Sequence, residues 1–107
     1  MTVELQPVLE AFVKAQNEHD TDALLECFAG DALVHDEGRD YRGTVAIRAW
    51  SDDINKRYNL SMEVRDVVEQ EREIRLTSLV TGNFDGSPAE LTYFLTLRDG
   101  KIAEFRA

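Results

Sequence analysis

The sequence predicts an α+β domain, with three helices packed on one face of a strongly curved, mostly antiparallel sheet. Two observations carry that reading. Apolar residues recur at three- and four-residue spacing up to about residue 58, and at alternate positions from Ser61 onward. At 107 residues, 43% apolar and 31% charged, the chain has material for one core and none for a second, so residues 1–107 read as a single domain. Helices first and sheet afterwards is the order of an α+β layer structure.

Leu5, Val8, Leu9, Phe12, Val13 and Gln16 form one stripe, which predicts a helix from Pro7 to Asn17 with proline in its first turn. Asp20 stands as an N-cap before Ala23, Leu24, Leu25 and Phe28, predicting a short second helix stopped by Gly30. Ala32 to Asp36 reads as a strand, Asp36-Glu37-Gly38-Arg39 as a turn and Asp40 to Arg42 as a brief returning strand. After Gly43, Thr44 is a candidate cap for a third helix whose buried face is Ile47, Trp50, Ile54 and Tyr58, ending near Asn59. Four strands follow, over 61–70, 73–84, 89–98 and 101–106. Asp85-Gly86-Ser87-Pro88 forms one hairpin loop, and Asp99-Gly100 is a two-residue type I′ turn.

Charge narrows the function. Twelve basic against twenty-one acidic residues give a net charge of −9, a field that repels phosphate backbones and anionic lipid, so neither nucleic acid nor membrane is an expected partner. No apolar run exceeds three residues, and Met1-Thr2-Val3-Glu4 has neither the basic nor the apolar part of a signal peptide, which predicts a cytoplasmic protein. The lone Cys27 fits a reducing compartment. Gly30, Gly38, Gly43, Gly82, Gly86 and Gly100 match no phosphate-binding fingerprint. His35-Asp36-Glu37 lacks further ligands at helical or strand spacing, so no metal is expected.

Four segments together carry a resemblance. They are Phe12-Val13-Lys14-Ala15-Gln16-Asn17-Glu18-His19-Asp20, Phe28-Ala29-Gly30-Asp31-Ala32-Leu33-Val34-His35-Asp36, Tyr41-Arg42-Gly43 leading into Ala46-Ile47-Arg48-Ala49-Trp50, and Leu97-Arg98-Asp99-Gly100-Lys101-Ile102. The chain resembles, nearly end to end, the SnoaL-like or NTF2-like (nuclear transport factor 2-like) superfamily, whose cone-shaped fold is shared with ketosteroid isomerase. The resemblance implies a deep apolar pocket between the concave sheet and the helices, and a homodimer through the outer sheet face. It does not imply one reaction, since isomerases, cyclases, dehydratases and non-catalytic binders share the scaffold.

Period-two geometry selects the candidate groups. Ala32, Val34 and Asp36 share one strand face and Leu33 and His35 the other, so Asp36 points with the core while His35 becomes a surface or interface imidazole. A carboxylate at the rim of an apolar cone is desolvated and can shuttle a proton. Asp36 also matches the general-base aspartate of ketosteroid isomerase-like members. The alternative is that it merely opens its turn. Where ketosteroid isomerase carries its tyrosine donor this chain has Phe12, and Tyr93 stands near the place of the acid donor. Loss of one oxyanion donor costs about 10²–10³ in rate, which argues against steroid isomerisation by that mechanism. Tyr93 remains a candidate hydrogen-bond donor, or an ordinary core aromatic.

Phe12, Trp50, Ile54 and Met62 are expected to wall the cavity, and Tyr41 either gates its mouth or fills an edge strand. Ile102 and Glu104 share a face by alternation, so Glu104 is a candidate second acid, or else pairs with Arg98 or Arg106. On the strand over 89–98, Leu91, Tyr93, Leu95 and Leu97 face inward and Phe94 outward. Phe94, with Phe105 or Ala103, is then a candidate dimer contact. The expected ligand is a small hydrophobic organic molecule. Any chemistry on it is expected to be cofactor-independent acid/base work by Asp36 and Tyr93, and the competing expectation is a non-catalytic binding or interaction module using the same cavity.

Overall fold

Four strands of the C-terminal half and two from residues 28–42 build a six-stranded sheet, described here from a computed structural model over residues 5–107. The Met1-Thr2-Val3-Glu4 segment lies outside the described residues. The elements run α1 (Pro7–Asn17), α2 (Thr21–Glu26), β1 (Phe28–Asp36), β2 (Arg39–Arg42), α3 (Gly43–Tyr58), β3 (Ser61–Gln70), β4 (Glu73–Thr81), β5 (Ala89–Arg98) and β6 (Lys101–Arg106). Strand order is β2-β1-β6-β5-β4-β3. Only β1 and β6 run parallel; the other neighbours are antiparallel. The predicted class holds: three helices cover one face of a mostly antiparallel sheet.

Local chemistry explains most boundaries. Pro7 opens α1, where its missing N–H costs nothing. Asp20 accepts a hydrogen bond from the Ala23 N–H at 3.1 Å and so caps α2. The second helix ends four residues before the expected Gly30, and β1 starts at Phe28 rather than Ala32. The cause is long-range: the Ile102 N–H donates to the Cys27 carbonyl at 2.8 Å and Phe28 pairs with Ile102, so β6 draws this segment into the sheet. Thr44 does not cap α3. The helix starts at Gly43, whose left-handed φ of 86° turns the chain there without a side-chain cap. Asn59, also left-handed at φ 51°, ends it.

Turn chemistry fixes register. Glu37-Gly38 and Asp99-Gly100 both carry two positive φ values, as two-residue hairpin turns require. The fourth strand stops at Thr81, not at residue 84, because the chain then bends onto the end of α3. There a Cβ at Gly82 would stand 2.7 Å from the Tyr58 carbonyl oxygen, and the Asn83 N–H donates to that same oxygen at 2.7 Å. Glycine is what permits this close approach.

The core lies between helices and sheet. Leu9, Phe12 and Ala15 of α1, Ile47, Trp50 and Ile54 of α3, and Ile74, Leu76, Val80, Leu95, Ile102 and Phe105 of the sheet are all buried. Among the described residues no helix is long and apolar enough to cross a membrane.

Candidate functional site

Cross-strand register places the site. Ile74, Leu95, Phe105, Val34 and Tyr41 form one row across the inner face. Two residues further along their strands, Tyr93 on β5 and Asp36 on β1 occupy the next row on either side of β6. Ser78 and Leu91 form the row after that, then Val80 with Met62. The helices do not cover these outer rows completely. A cavity of about 280 Å³ is left between sheet and helices.

Its floor and sheet wall are Phe105, Tyr93, Leu91, Val80 and Met62. Its helical wall is Phe12 and Gln16 of α1 with Trp50, Ile54 and Tyr58 of α3. Asp36 and Glu37 reach it from the end of β1, and Leu60 and Phe84 from the neighbouring loops. Phe105 is the hub of the aromatic cluster: its ring centroid lies 5.2 Å from Tyr93, stacked, 5.5 Å from Phe12 and 5.7 Å from Trp50. These separations are those of favourable aromatic pairs.

Polar groups are few and individually held. The Trp50 indole N–H donates to Asp36 Oδ2 at 3.0 Å, which fixes one carboxylate oxygen. The Tyr93 hydroxyl has no hydrogen-bond partner among the described residues. Burial, and then the negative charge of Asp36, push its ionisation up to about 12. At the rim, Glu37 accepts from Arg57 at 2.7 Å and from the Tyr58 hydroxyl at 2.8 Å, which holds its carboxyl below the usual carboxylate range. Arg57 also donates to Asp53 at 2.8 Å. Tyr58 meets Phe84 edge-on at 6.3 Å, so one residue joins the β1–β2 turn, the end of α3 and the β4–β5 loop.

The raised Tyr93 ionisation has a measurable sign. The folded phenol keeps its proton to higher pH than the free side chain, near 10, so the stability linked to it is intact below about pH 10 and is lost as pH climbs towards about 12. Ultraviolet titration of tyrosinate should show a step near 12 that Tyr93→Phe removes. Loss of a step near 10 instead would show the hydroxyl to be in ordinary water.

Of the candidates read from sequence, Asp36, Tyr93, Phe12, Trp50, Ile54 and Met62 line the cavity. Tyr41 does not: its ring packs 6.4 Å from Trp50, whose indole forms the wall in front of it. Glu104 is also outside, paired with Arg106 at 3.1 Å. Simple alternation fails there because the β5–β6 register shifts, with Leu97 opposite Ile102 but Thr96 opposite Glu104. The additional residue, Ala103, is a bulge that turns Glu104 to the outer face and Phe105 inward, where it is 3% exposed. The expectation that Phe105 joins Phe94 on an outer contact is corrected accordingly. Phe94 itself faces outward and is 38% exposed.

His35 points away from the cavity and bonds Asp40, and the exposed His19 meets the Leu60 carbonyl oxygen at 2.9 Å. Sequence reading did not name Gln16, Glu37, Tyr58, Leu60, Val80, Phe84, Leu91 or Ala107 as lining residues. Three of them left a signal: Tyr58 on the buried face of its helix, Leu91 on the inward face of its strand, and Gln16 as a polar residue on an otherwise apolar helical stripe.

Three helices and a bent six-stranded sheet enclosing such a hollow define the ketosteroid isomerase-like, or NTF2-like, class of cone. Within that class the chain belongs to the SnoaL-like domain family, which matches residues 9–105. Among solved structures, one described as a "putative polyketide cyclase" from Sinorhizobium meliloti is 36% identical, with 95% of this chain and 94% of that chain covered and a TM-score of 0.91. A hypothetical protein with a ketosteroid isomerase-like fold from Catenulispora acidiphila, solved in complex with trimethylamine, is 17% identical over 96% of this chain and 85% of that one, at a TM-score of 0.82. A second "putative polyketide cyclase", from Xanthomonas campestris, is 21% identical over 92% and 84%, at 0.77. The last two show the shared fold alone. No functionally curated protein matches the chain.

Proposed function

We propose that this chain is a cytoplasmic SnoaL-like protein that takes a small hydrophobic organic molecule into the cavity and performs cofactor-independent acid/base chemistry on it, of the cyclase, isomerase or dehydratase kind. One observation carries the reading: a carboxylate and a phenol, Asp36 and Tyr93, stand on the same cross-strand row of an otherwise mostly apolar cavity. In this reading Asp36 removes a proton from the carbon next to a carbonyl. Tyr93 donates a hydrogen bond to the carbonyl oxygen as negative charge gathers there, and the proton is returned at a new position, to a leaving oxygen, or, where the enolate carbon closes a ring on a second carbonyl carbon, to the oxygen of that carbonyl. The 36% identical relative described as a "putative polyketide cyclase" supports ring closure among the three.

A cavity of about 280 Å³ lies at the small end of ligand pockets, which favours a compound of one or two rings. A second reading, a binding module without catalysis, is favoured by the Trp50 bond, which gives Asp36 a structural partner.

The test is a binding and turnover screen of small cyclic ketones and phenols, read by the fluorescence of Trp50, the sole tryptophan. Ligands that bind and turn over are expected. Binding without turnover selects the second reading, and no binding by any member removes both. We further propose a homodimer through the outer sheet face around Phe94, with Arg75 stacked over that ring at 5.8 Å. Sedimentation at micromolar concentration should return twice the chain mass, and a single-chain mass overturns it.

A further inference from the structure

Gln16 is the one neutral amide among the cavity's lining residues, and it is only 8% exposed. It lies one helical turn beyond Phe12 on the same face of α1. A carboxamide offers two donors and two acceptor lone pairs. The protein engages one of these, through a bond of 3.2 Å between Gln16 Nε2 and Asn55 Oδ1 on α3. Whichever way the amide is turned, one end meets Asn55 and the other is free. The cavity lining offers it little else: Phe12, Ile54, Met62 and Val80 are among its apolar wall residues.

The position along the cavity matters as much as the unpaired valence. Asn17, the next residue, clasps Met62 through bonds of 2.7 and 2.9 Å to its backbone, which sets this end of α1 over the row of Met62 and Val80. That row is two steps along the strands from the row of Asp36 and Tyr93. The row between contains Ser78, whose hydroxyl is fully buried and has no partner among the described residues. Ser78 is not among the lining residues, so apart from the Glu37–Tyr58 pair at the rim the polar groups that face this hollow are Asp36 and Tyr93 on one row and Gln16 beside a row two steps away.

We infer that Gln16 is a specificity-determining residue that recognises a second oxygen of the ligand, so that the cavity selects rigid ring compounds bearing a hydroxyl or carbonyl at both ends. This rests on the cavity being the ligand site, and it goes further by naming the class of compound. An apolar ligand group against Gln16 leaves the free end of its amide unpaired, whereas an oxygen placed there gains the hydrogen bond. The expected preference for a two-ended ligand is about tenfold.

Isothermal titration calorimetry with two probes tests this: a naphthalenediol with one hydroxyl on each ring, and the naphthol that lacks the second. Wild type should bind the diol about tenfold more tightly. Gln16→Leu should abolish that preference by weakening the diol relative to the naphthol, and Gln16→Met provides a second apolar replacement should leucine not pack. Equal affinity of wild type for both probes, or a preference that survives both variants, overturns the role of Gln16 while the cavity reading stands. Failure of wild type to bind either probe overturns the two-ended ring ligand, and the cavity reading falls with it only when no other ketone or phenol of the screen binds.

Discussion

Asp36→Asn should cut turnover by about 10²–10⁴ while leaving ligand affinity within a few-fold of wild type. The substitution is informative because of how the carboxylate is held. One oxygen accepts the Trp50 indole N–H at 3.0 Å, and an asparagine carbonyl can take over that bond in the same place. The amide nitrogen then replaces the second carboxylate oxygen of this cavity-lining residue, and it cannot accept a proton. Fold, cavity shape and indole orientation are retained, and proton transfer is lost. Asp36→Ala is the poorer test, since it leaves a buried indole N–H unpaired at a cost of about 1–3 kcal/mol and mixes destabilisation with chemistry. Steady-state rates with the compounds from the screen, and affinities from Trp50 quenching, give the two numbers required. Turnover equal to wild type removes Asp36 from the reaction. A matching loss of affinity would make it a binding anchor instead.

How much of this was legible in the sequence depends on the range of the interactions that decide each feature. The bounds of α1, the alternation of β5 and the Asp99-Gly100 turn are local matters of propensity and period, and they appear where the sequence places them. Asp36 and Tyr93 face one cavity because period-two alternation holds along the last residues of β1 and along β5. The failures have another origin. Phe28 joins the sheet because Ile102 pairs with it from far along the chain, and no window around Phe28 contains that fact. Glu104 and Phe105 exchange faces through a bulge that only the registry against β5 reveals. Tyr58 and Glu37 become the rim because the β1–β2 turn bonds to the end of α3, where Gly82 lets a distant loop lie as well. Family resemblance supplies the cone and its hollow. It does not supply which side chains of this chain close the mouth.

Phe105→Ala should lower unfolding free energy by about 3–5 kcal/mol, a large part of the roughly 5–15 kcal/mol available to a domain of this kind. Phe105 is the one aromatic that touches Phe12 on α1, Trp50 on α3 and Tyr93 on β5 together, so its ring couples both long helices to the centre of the sheet. The site cannot collapse to refill the space: Val34 and Leu95, its row neighbours, are fully buried on strands fixed by pairing on both sides. The void instead merges with the existing cavity, which enlarges it. Two readouts should therefore move together in the variant. The urea midpoint falls without a change in slope, because the surface exposed on unfolding is nearly the same. Ligand preference shifts towards bulkier rings, because the floor has been removed. Phe105→Leu keeps an apolar anchor in the same place and should show both effects in smaller measure, so a folded sample remains for measurement even where alanine does not support the fold. A loss below about 1 kcal/mol in the alanine variant would be the cost of a half-exposed residue. That result would place the ring on the outer face of the sheet, where strict alternation from Ile102 would have put it.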